Sequence, residues 1–252
     1  KQAQTNRELE QDTARYHREK SRLESLINIA ERYDGYGNAI RRVMEKRDDL
    51  PGLLGVVADL IQVDKKYEIA IETALGGSIQ NIVTEDEETA KKMIEHLKKN
   101  RYGRATFLPL TSVGKKTPQV NQAALKEPGV IGIGSELIHA DSRYAGLKSY
   151  LLGRTYVVDT IEHAIALARK YQYSLRIVTL EGESLNPGGS MAGGAFRNTS
   201  NLLGRKREIE DLQRQTKELE EAAVQHKNRL EEIQTARELL KEDLLQIREE
   251  LK

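Results

Sequence analysis

The sequence predicts a mixed α/β (α+β) body of two small subdomains, flanked by two helices that pair as an antiparallel intramolecular coiled coil. Three observations carry this. Short apolar runs alternate with helix-patterned stretches through the middle of the chain. Heptad spacing precedes and follows that middle. Between the body and the second heptad region lies Leu185-Asn186-Pro187-Gly188-Gly189-Ser190-Met191-Ala192-Gly193-Gly194, with four glycines and a proline in ten residues.

Composition bounds the possibilities. A chain of 252 residues holds one or two domains. Charged residues make up 31% and aromatics 5%, more charge than a compact body needs, and long solvated helices account for the excess. The formal charge is only +1, so nucleic-acid binding would have to come from local patches. With no cysteine there are no disulfides, no cysteine zinc sites and no Cys-x-x-Cys dimerisation hook. No apolar run approaches the roughly 18 residues of a membrane span. Lys1 opens directly into a charged helical pattern with no signal peptide, and the chain reads as an excerpt of a longer protein.

The first helix is expected over residues 1–33. Leu9, Thr13, Tyr16, Lys20, Leu23, Ile27 and Ala30 alternate steps of four and three, a weak seam diluted by Asn6, Thr13 and Lys20. So polar a helix is marginal alone and needs a partner. The glycines of Tyr33-Asp34-Gly35-Tyr36-Gly37 break the pattern.

The first subdomain is expected over residues 34–116. Residues 39–46 read as a short basic helix, Leu50-Pro51-Gly52 as a turn, and 53–61 as a buried strand running into a turn. Residues 65–75 read as a helix stopped by Gly76-Gly77, and 79–83 as a strand. Thr84 with Glu87 has capping-box spacing, and the acids 85–88 suit the positive end of the helix that follows. Residues 105–110 are a further strand. Between residues 91 and 116 eight basic residues stand against Glu95 alone, a local +7. Helix capping uses only some of these, and the rest suit either a solubilising surface or contact with phosphates.

The second subdomain is expected over residues 117–200. Residues 117–128 are polar and turn-rich, a natural boundary. Val130-Ile131-Gly132-Ile133-Gly134 starts like a dinucleotide loop, but Leu137 stands where the third glycine would be, so it reads as a strand end. A helix over 144–152, a strand over 155–158, a helix over 160–171 capped by Asp159 with Glu162, and a strand over 175–180 follow. Strand, helix, strand thus occurs in both halves.

No catalytic constellation emerges. His17, His96, His139, His163 and His226 are scattered, no serine sits in a Gly-x-Ser-x-Gly elbow, and Gly114-Lys115-Lys116-Thr117 fails the phosphate-loop pattern. Nothing calls for a cofactor or a metal.

The last helix is expected over residues 201–252. Ile209, Leu212, Thr216, Leu219, Ala223, His226, Leu230, Ile233, Arg237, Leu240, Leu244, Ile247 and Leu251 keep the three–four alternation for six heptads, roughly 60 Å of helix. Layering a against d positions in an antiparallel pair favours paired numbers summing to about 239, which sets Leu9 against Leu230 and Tyr16 against Ala223. Sums seven higher or lower keep the pattern. At 239, Leu240, Leu244, Ile247 and Leu251 have no partner on the first helix.

The glycine stretch has two readings. Glycine supplies positive φ in turns, and its missing Cβ also lets another backbone come near. Two Gly-Gly pairs exceed the needs of one turn.

Together these motifs resemble the hinge region of SMC (structural maintenance of chromosomes) proteins, most closely the bacterial type. The residues that carry the resemblance are Leu50-Pro51-Gly52 with Gly55-Val56-Val57-Ala58-Asp59, Ala74-Leu75-Gly76-Gly77, Asn81-Ile82-Val83, Gly103-Arg104-Ala105-Thr106-Phe107-Leu108-Pro109-Leu110, Arg176-Ile177-Val178-Thr179-Leu180-Glu181-Gly182 and Asn186 through Gly194. The resemblance implies a homodimerising two-subdomain hinge, cytoplasmic and nucleoid-associated, with no catalysis, since the family's ATPase heads lie at the other end of the coil. It implies that Gly188, Gly189, Gly193 and Gly194 pack at the partner. It also implies weak, sequence-independent DNA contact near the coil junction, where Arg197, Arg205, Lys206 and Arg207 stand. Lys98, Lys99, Arg101, Arg104, Lys115 and Lys116 of the basic run are the further candidates for DNA. The alternative is a coiled-coil scaffold whose body binds a different protein.

Overall fold

The structure, a computed structural model, describes residues 2–194 and 201–250. They divide into two compact units, a body over residues 32–207 and a coil made of residues 1–31 with 208–252.

In the body, α2 (Asn38–Met44) buries Ala39, Ile40, Val43 and Met44, and β1 (Leu53–Val56) runs into the single turn of α3 (Val57–Leu60). After β2 (Gln62–Val63), α4 (Glu68–Leu75) ends at Gly76, whose φ of 50° suits glycine. Residues 76–80 form a 3-10 turn, so the strand expected over 79–83 begins only with β3 (Ile82–Thr84). α5 (Glu87–Asn100) then leads to β4 (Phe107–Pro109). The second half places β5 (Val130–Ile133), β6 (Ile138–His139), α6 (Ala145–Leu152), β7 (Thr155–Val158), α7 (Ile161–Lys170) and β8 (Arg176–Thr179) in order. A hairpin of β9 (Ser184–Leu185) and β10 (Met191–Ala192) follows, and α8 (Leu202–Glu250) closes the chain.

One sheet has the order β1-β3-β4 and another β10-β9-β8-β7-β5, while β2 and β6 pair between the halves. The β3–β4 and β7–β8 pairs are parallel, with α5 and α7 as their crossovers. Strands β7 and β8 are covered on both faces. Val157 and Val178 enter the larger core with Val56, Ile71, Ile82 and Leu147, while Tyr156, Val158 and Ile177 enter a smaller one with Ala164 and Leu167. Period-two alternation divides the side chains between the two cores, so the strands read as continuous apolar runs.

Both helix starts lie off their expected residues. Thr84 is fully buried in β3 and gives its hydroxyl to the Asp86 carbonyl at 2.9 Å, so Asp86 caps α5 instead, accepting from the Thr89 amide at 2.8 Å. That hydrogen bond holds the Asp86 carboxyl below the usual carboxylate range. At α7 the cap is Thr160, because Asp159 is engaged by His163 Nδ1 at 2.7 Å.

In the coil, α1 (Gln2–Glu31) runs antiparallel to α8: His226 faces Asp12 at 3.3 Å, and Arg22 pairs with Glu208. The residue numbers of these pairs, 226 with 12 and 22 with 208, sum to 238 and 230. Leu212, Thr216 and Leu230 are buried on α8 and Thr5 on α1. Lys20, expected in the seam, is exposed and donates to the Tyr16 hydroxyl at 3.1 Å, while Glu19 is half-buried. Leu240, Leu244 and Ile247 are exposed. Leu251, the last seam position, lies outside the described residues.

Candidate interface hairpin and basic surfaces

The glycine stretch is the turn and outer strand of a hairpin, which its two-residue strands hid in the sequence. Met191 pairs with Leu185 and Ala192 with Ser184. The loop closes through the Asn186 amide to the Ser190 carbonyl at 2.9 Å and the Gly189 amide to the Asn186 carbonyl at 3.0 Å. Gly188 and Gly189 have φ of 91° and 94°, so turn geometry alone asks for glycine at both. Among the described residues a Cβ on Gly188 would meet no atom, nor would one on Gly194, whereas one on Gly193 would fall 2.9 Å from the Glu183 side chain. Among the described residues the backbone is therefore bare on the outside at Gly188 and Gly194.

Strand β10 is the outer edge of the five-stranded sheet, with Met191 and Ala192 both exposed. An edge strand offers unpaired N–H and C=O groups, and charges or prolines usually block it. Neither residue of β10 carries a charge.

The basic candidates fall into three places. Lys98, Lys99, Arg101 and Arg104 are exposed at and just beyond the C-terminal end of α5, where Arg101 takes the left-handed cap with φ of 54°. Cations there complement the helix dipole and still face water. Lys115 and Lys116 are exposed at the opposite end of α5. Thr111, close before them, gives its hydroxyl to Glu87 in the first turn, and Lys115 pulls the Glu87 carboxyl down as well. A helix of 14 residues separates the two groups by roughly 20 Å. The run that reads as one patch in sequence is two.

The third place is inward. Lys206 donates to the carbonyls of Asp59 at 2.6 Å and Ile61 at 3.0 Å, covering acceptors left open where α3 ends. Arg205 donates to the Asp34 carbonyl at 2.9 Å, and Arg207 pairs with Glu68, which is only 6% exposed. A carboxylate so buried needs that guanidinium. Around them Tyr33 donates to Asp59 Oδ2 at 2.9 Å, burial raises the Asp59 carboxyl, and burial lifts the Tyr33 and Tyr36 phenols well above their usual range. Glu72 accepts from the Leu202 amide at the start of α8, and burial pushes its carboxyl up to about 7. These cations tie residues 202–207 to the first half of the body. A lysine or arginine at a helix start gives no sequence sign of an inward role. Arg197 lies outside the described residues.

Among the described residues no cluster of His, Cys, Asp or Glu is arranged to hold a metal, and no helix is long and apolar enough to cross a membrane.

Residues 50–168 match the family described as "SMC proteins Flexible Hinge Domain". The chain is 43% identical over 218 residues to the Chromosome partition protein Smc of Desulfitobacterium hafniense, an alignment covering 84% of this chain and 18% of that protein. It is 40% identical over 205 residues to the protein of the same name from Bacillus subtilis, covering 80% of this chain and 17% of that one. The chain thus spans less than a fifth of the length of these curated relatives. The SMC hinge domain of Geobacillus stearothermophilus, solved as an asymmetric dimer, superposes with a TM-score of 0.83 at 36% identity, covering 91% of this chain and 93% of that one. The Pyrococcus furiosus SMC hinge domain gives a TM-score of 0.54 at 35% identity, over 68% of this chain and 88% of that one. The chain belongs to the SMC hinge domain family of the bacterial chromosome-partition type, a non-catalytic region of those proteins.

Proposed function

We propose that this chain is the self-association hinge of a chromosome-partition Smc protein that acts on the nucleoid. The observation that carries it is the open, uncharged edge of β10, with Gly188 in the loop before it bare on its outer side among the described residues. A second copy can add its own backbone there, and the positive φ of the loop and its approach to a partner are then compatible uses of the same glycines. Gly188, Gly189, Gly193 and Gly194 belong to that contact, and the body divides at about residue 117 into two parts that both serve it. The relative from Geobacillus stearothermophilus is a dimer, which supports the reading. Light scattering of the fragment tests it. A dimer mass supports self-association, and a monomer mass favours a body that binds a different protein.

The exposed cations Lys98, Lys99, Arg101 and Arg104 suit weak contact with DNA phosphates, with Lys115 and Lys116 as a separate pair. Arg205, Lys206 and Arg207 leave this reading, because their donors serve the body itself.

A further inference from the structure

Two adjoining concavities of about 590 and 630 Å³ lie beside α6 and share Tyr150 and Arg154. Close backbone packing builds them. Gly114 presses on Gly146, and a Cβ on Gly153 would fall 2.7 Å from Pro118. This packing holds the 112–118 loop against α6, so Lys115, Lys116 and Arg154 line one concavity. No carboxylate lines either concavity. Among the described residues, Lys116 and Arg154 have no acidic partner within ion-pair distance. Tyr150 is 56% exposed, unusual for so large a ring, and stands where the two concavities meet. In the second concavity the Tyr156 hydroxyl is already occupied by the Asn121 amide at 2.8 Å and Arg176 by the Ala74 carbonyl at 2.7 Å, so these two serve as wall.

We propose that this double concavity binds a nucleotide, with its phosphate between Lys115, Lys116 and Arg154 and its base against Tyr150. The Arg154 guanidinium fork and the Lys116 ammonium, neither with an acidic partner among the described residues, favour a phosphate, with Lys115 shared with Glu87, and an exposed aromatic ring favours a flat base. Each volume falls in the range of small-ligand sites. The nucleotide is either free or part of an unpaired strand. The phosphate position by the 112–118 loop is separate from the cations at the end of α5, while the second concavity reaches Pro187 of the β9–β10 loop.

Calorimetric titration with adenosine monophosphate and with inorganic phosphate tests it. Saturable binding of adenosine monophosphate with Kd of about 1 mM or tighter is expected. Lys116→Ala and Arg154→Ala weaken both ligands about 10-fold, as the loss of a charge-assisted hydrogen bond does. Tyr150→Ala weakens the nucleotide about 10-fold but not phosphate, and Tyr150→Phe restores it. A single-stranded oligothymidylate that competes assigns the site to an unpaired strand, and one that does not assigns it to the free nucleotide; nucleotide recognition holds either way. Nucleotide binding no tighter than that of phosphate overturns the proposal, as does binding unchanged in Arg154→Ala. A Lys98→Glu/Arg101→Glu variant keeps nucleotide binding, so failure here is distinct from failure of DNA contact at the end of α5.

Discussion

Gly114 and Gly146 cross so closely that a Cβ on Gly114 would lie 2.1 Å from the Gly146 carbonyl oxygen, backbone against backbone. Gly114 also has φ of 74°. Alanine there is strained twice, and neither neighbour is a side chain that can swing away. Gly114→Ala should cost about 2–4 kcal/mol. Gly146→Ala should cost less, since its Cβ would meet the Gly114 carbonyl oxygen at 3.3 Å. Urea denaturation of both variants checks the order. Equal loss in the two would mean that the crossing relaxes freely.

The edge of β10 predicts the effect of a charge. Ala192→Lys places an ammonium on an exposed strand where it disturbs no core. The variant should keep the circular dichroism and melting temperature of the parent while its mass falls to that of one chain. It is a cleaner probe than substitution at Gly188 or Gly189, where positive φ would strain the fold as well. A variant that stays dimeric removes β10 from the contact.

How much of this was legible in the sequence depends on the range of the cause. Strands β7 and β8 and helix α7 were readable because apolar period and local caps set them. The caps slipped by one or two residues, because Thr84 was taken by the sheet and Asp159 by His163. Ile79 and Gln80, read as the start of a strand, fall instead in the 3-10 turn that begins where Gly76 turns the chain. Lys206 looked like a surface cation because its carbonyl partners lie near residue 60, far away in the chain. The Tyr150 concavities were illegible for the same reason, since they exist only where Gly114 meets Gly146.

DNA contact through the end of α5 predicts a definite salt response. If Lys98, Lys99, Arg101 and Arg104 each neutralise one phosphate, binding should weaken about 100-fold between 50 and 200 mM salt, by a slope of roughly −0.9 per contact. Reversing Lys98 and Arg101 should halve that slope and leave sequence preference absent. Arg205→Ala should not change the slope, but it should lower stability, because its guanidinium serves the Asp34 carbonyl. Fluorescence anisotropy with duplexes of two sequences distinguishes these effects. A slope untouched by the Lys98 and Arg101 reversals would leave those cations as solvated surface.

Glu72 predicts how stability varies with pH. Its carboxyl sits at about 7 in the fold against 4.5 as an ordinary side chain, chiefly through burial, with the Leu202 amide opposing and the Glu68 charge assisting. Between those values the folded state holds more protons than the unfolded one, so this group makes stability fall as pH rises through that window. Glu72→Gln removes the charge to be buried and can keep an acceptor for the Leu202 amide. The variant should show a flatter profile from about pH 5 to about pH 7 and gain on the parent above it. Denaturation midpoints across that range decide, and parallel profiles would mean that Glu72 is well hydrated.

The register of the coil is the remaining question with a sharp test. His226 faces Asp12 at 3.3 Å and Glu8 at 3.9 Å, sums of 238 and 234, and Arg22 with Glu208 sums to 230, so the ion pairs fall at and below the expected 239. Flanking ion pairs reach across the seam at a slant, so long side chains such as arginine locate the register less tightly than the buried layers do. Leu230 is buried and Leu9 half-buried, as a facing layer requires. A disulfide needs Cα atoms within about 7 Å, so it reads register to better than one turn. In this cysteine-free chain, Leu9→Cys with Leu230→Cys should oxidise readily to a crosslinked species seen on a non-reducing gel. Leu9→Cys with a cysteine at Ala223 or at Arg237 should crosslink poorly. If either of those couples best, the helices are one heptad from this alignment. Leu240, Leu244 and Ile247 would then lie correspondingly nearer to the start of α1 or further beyond it.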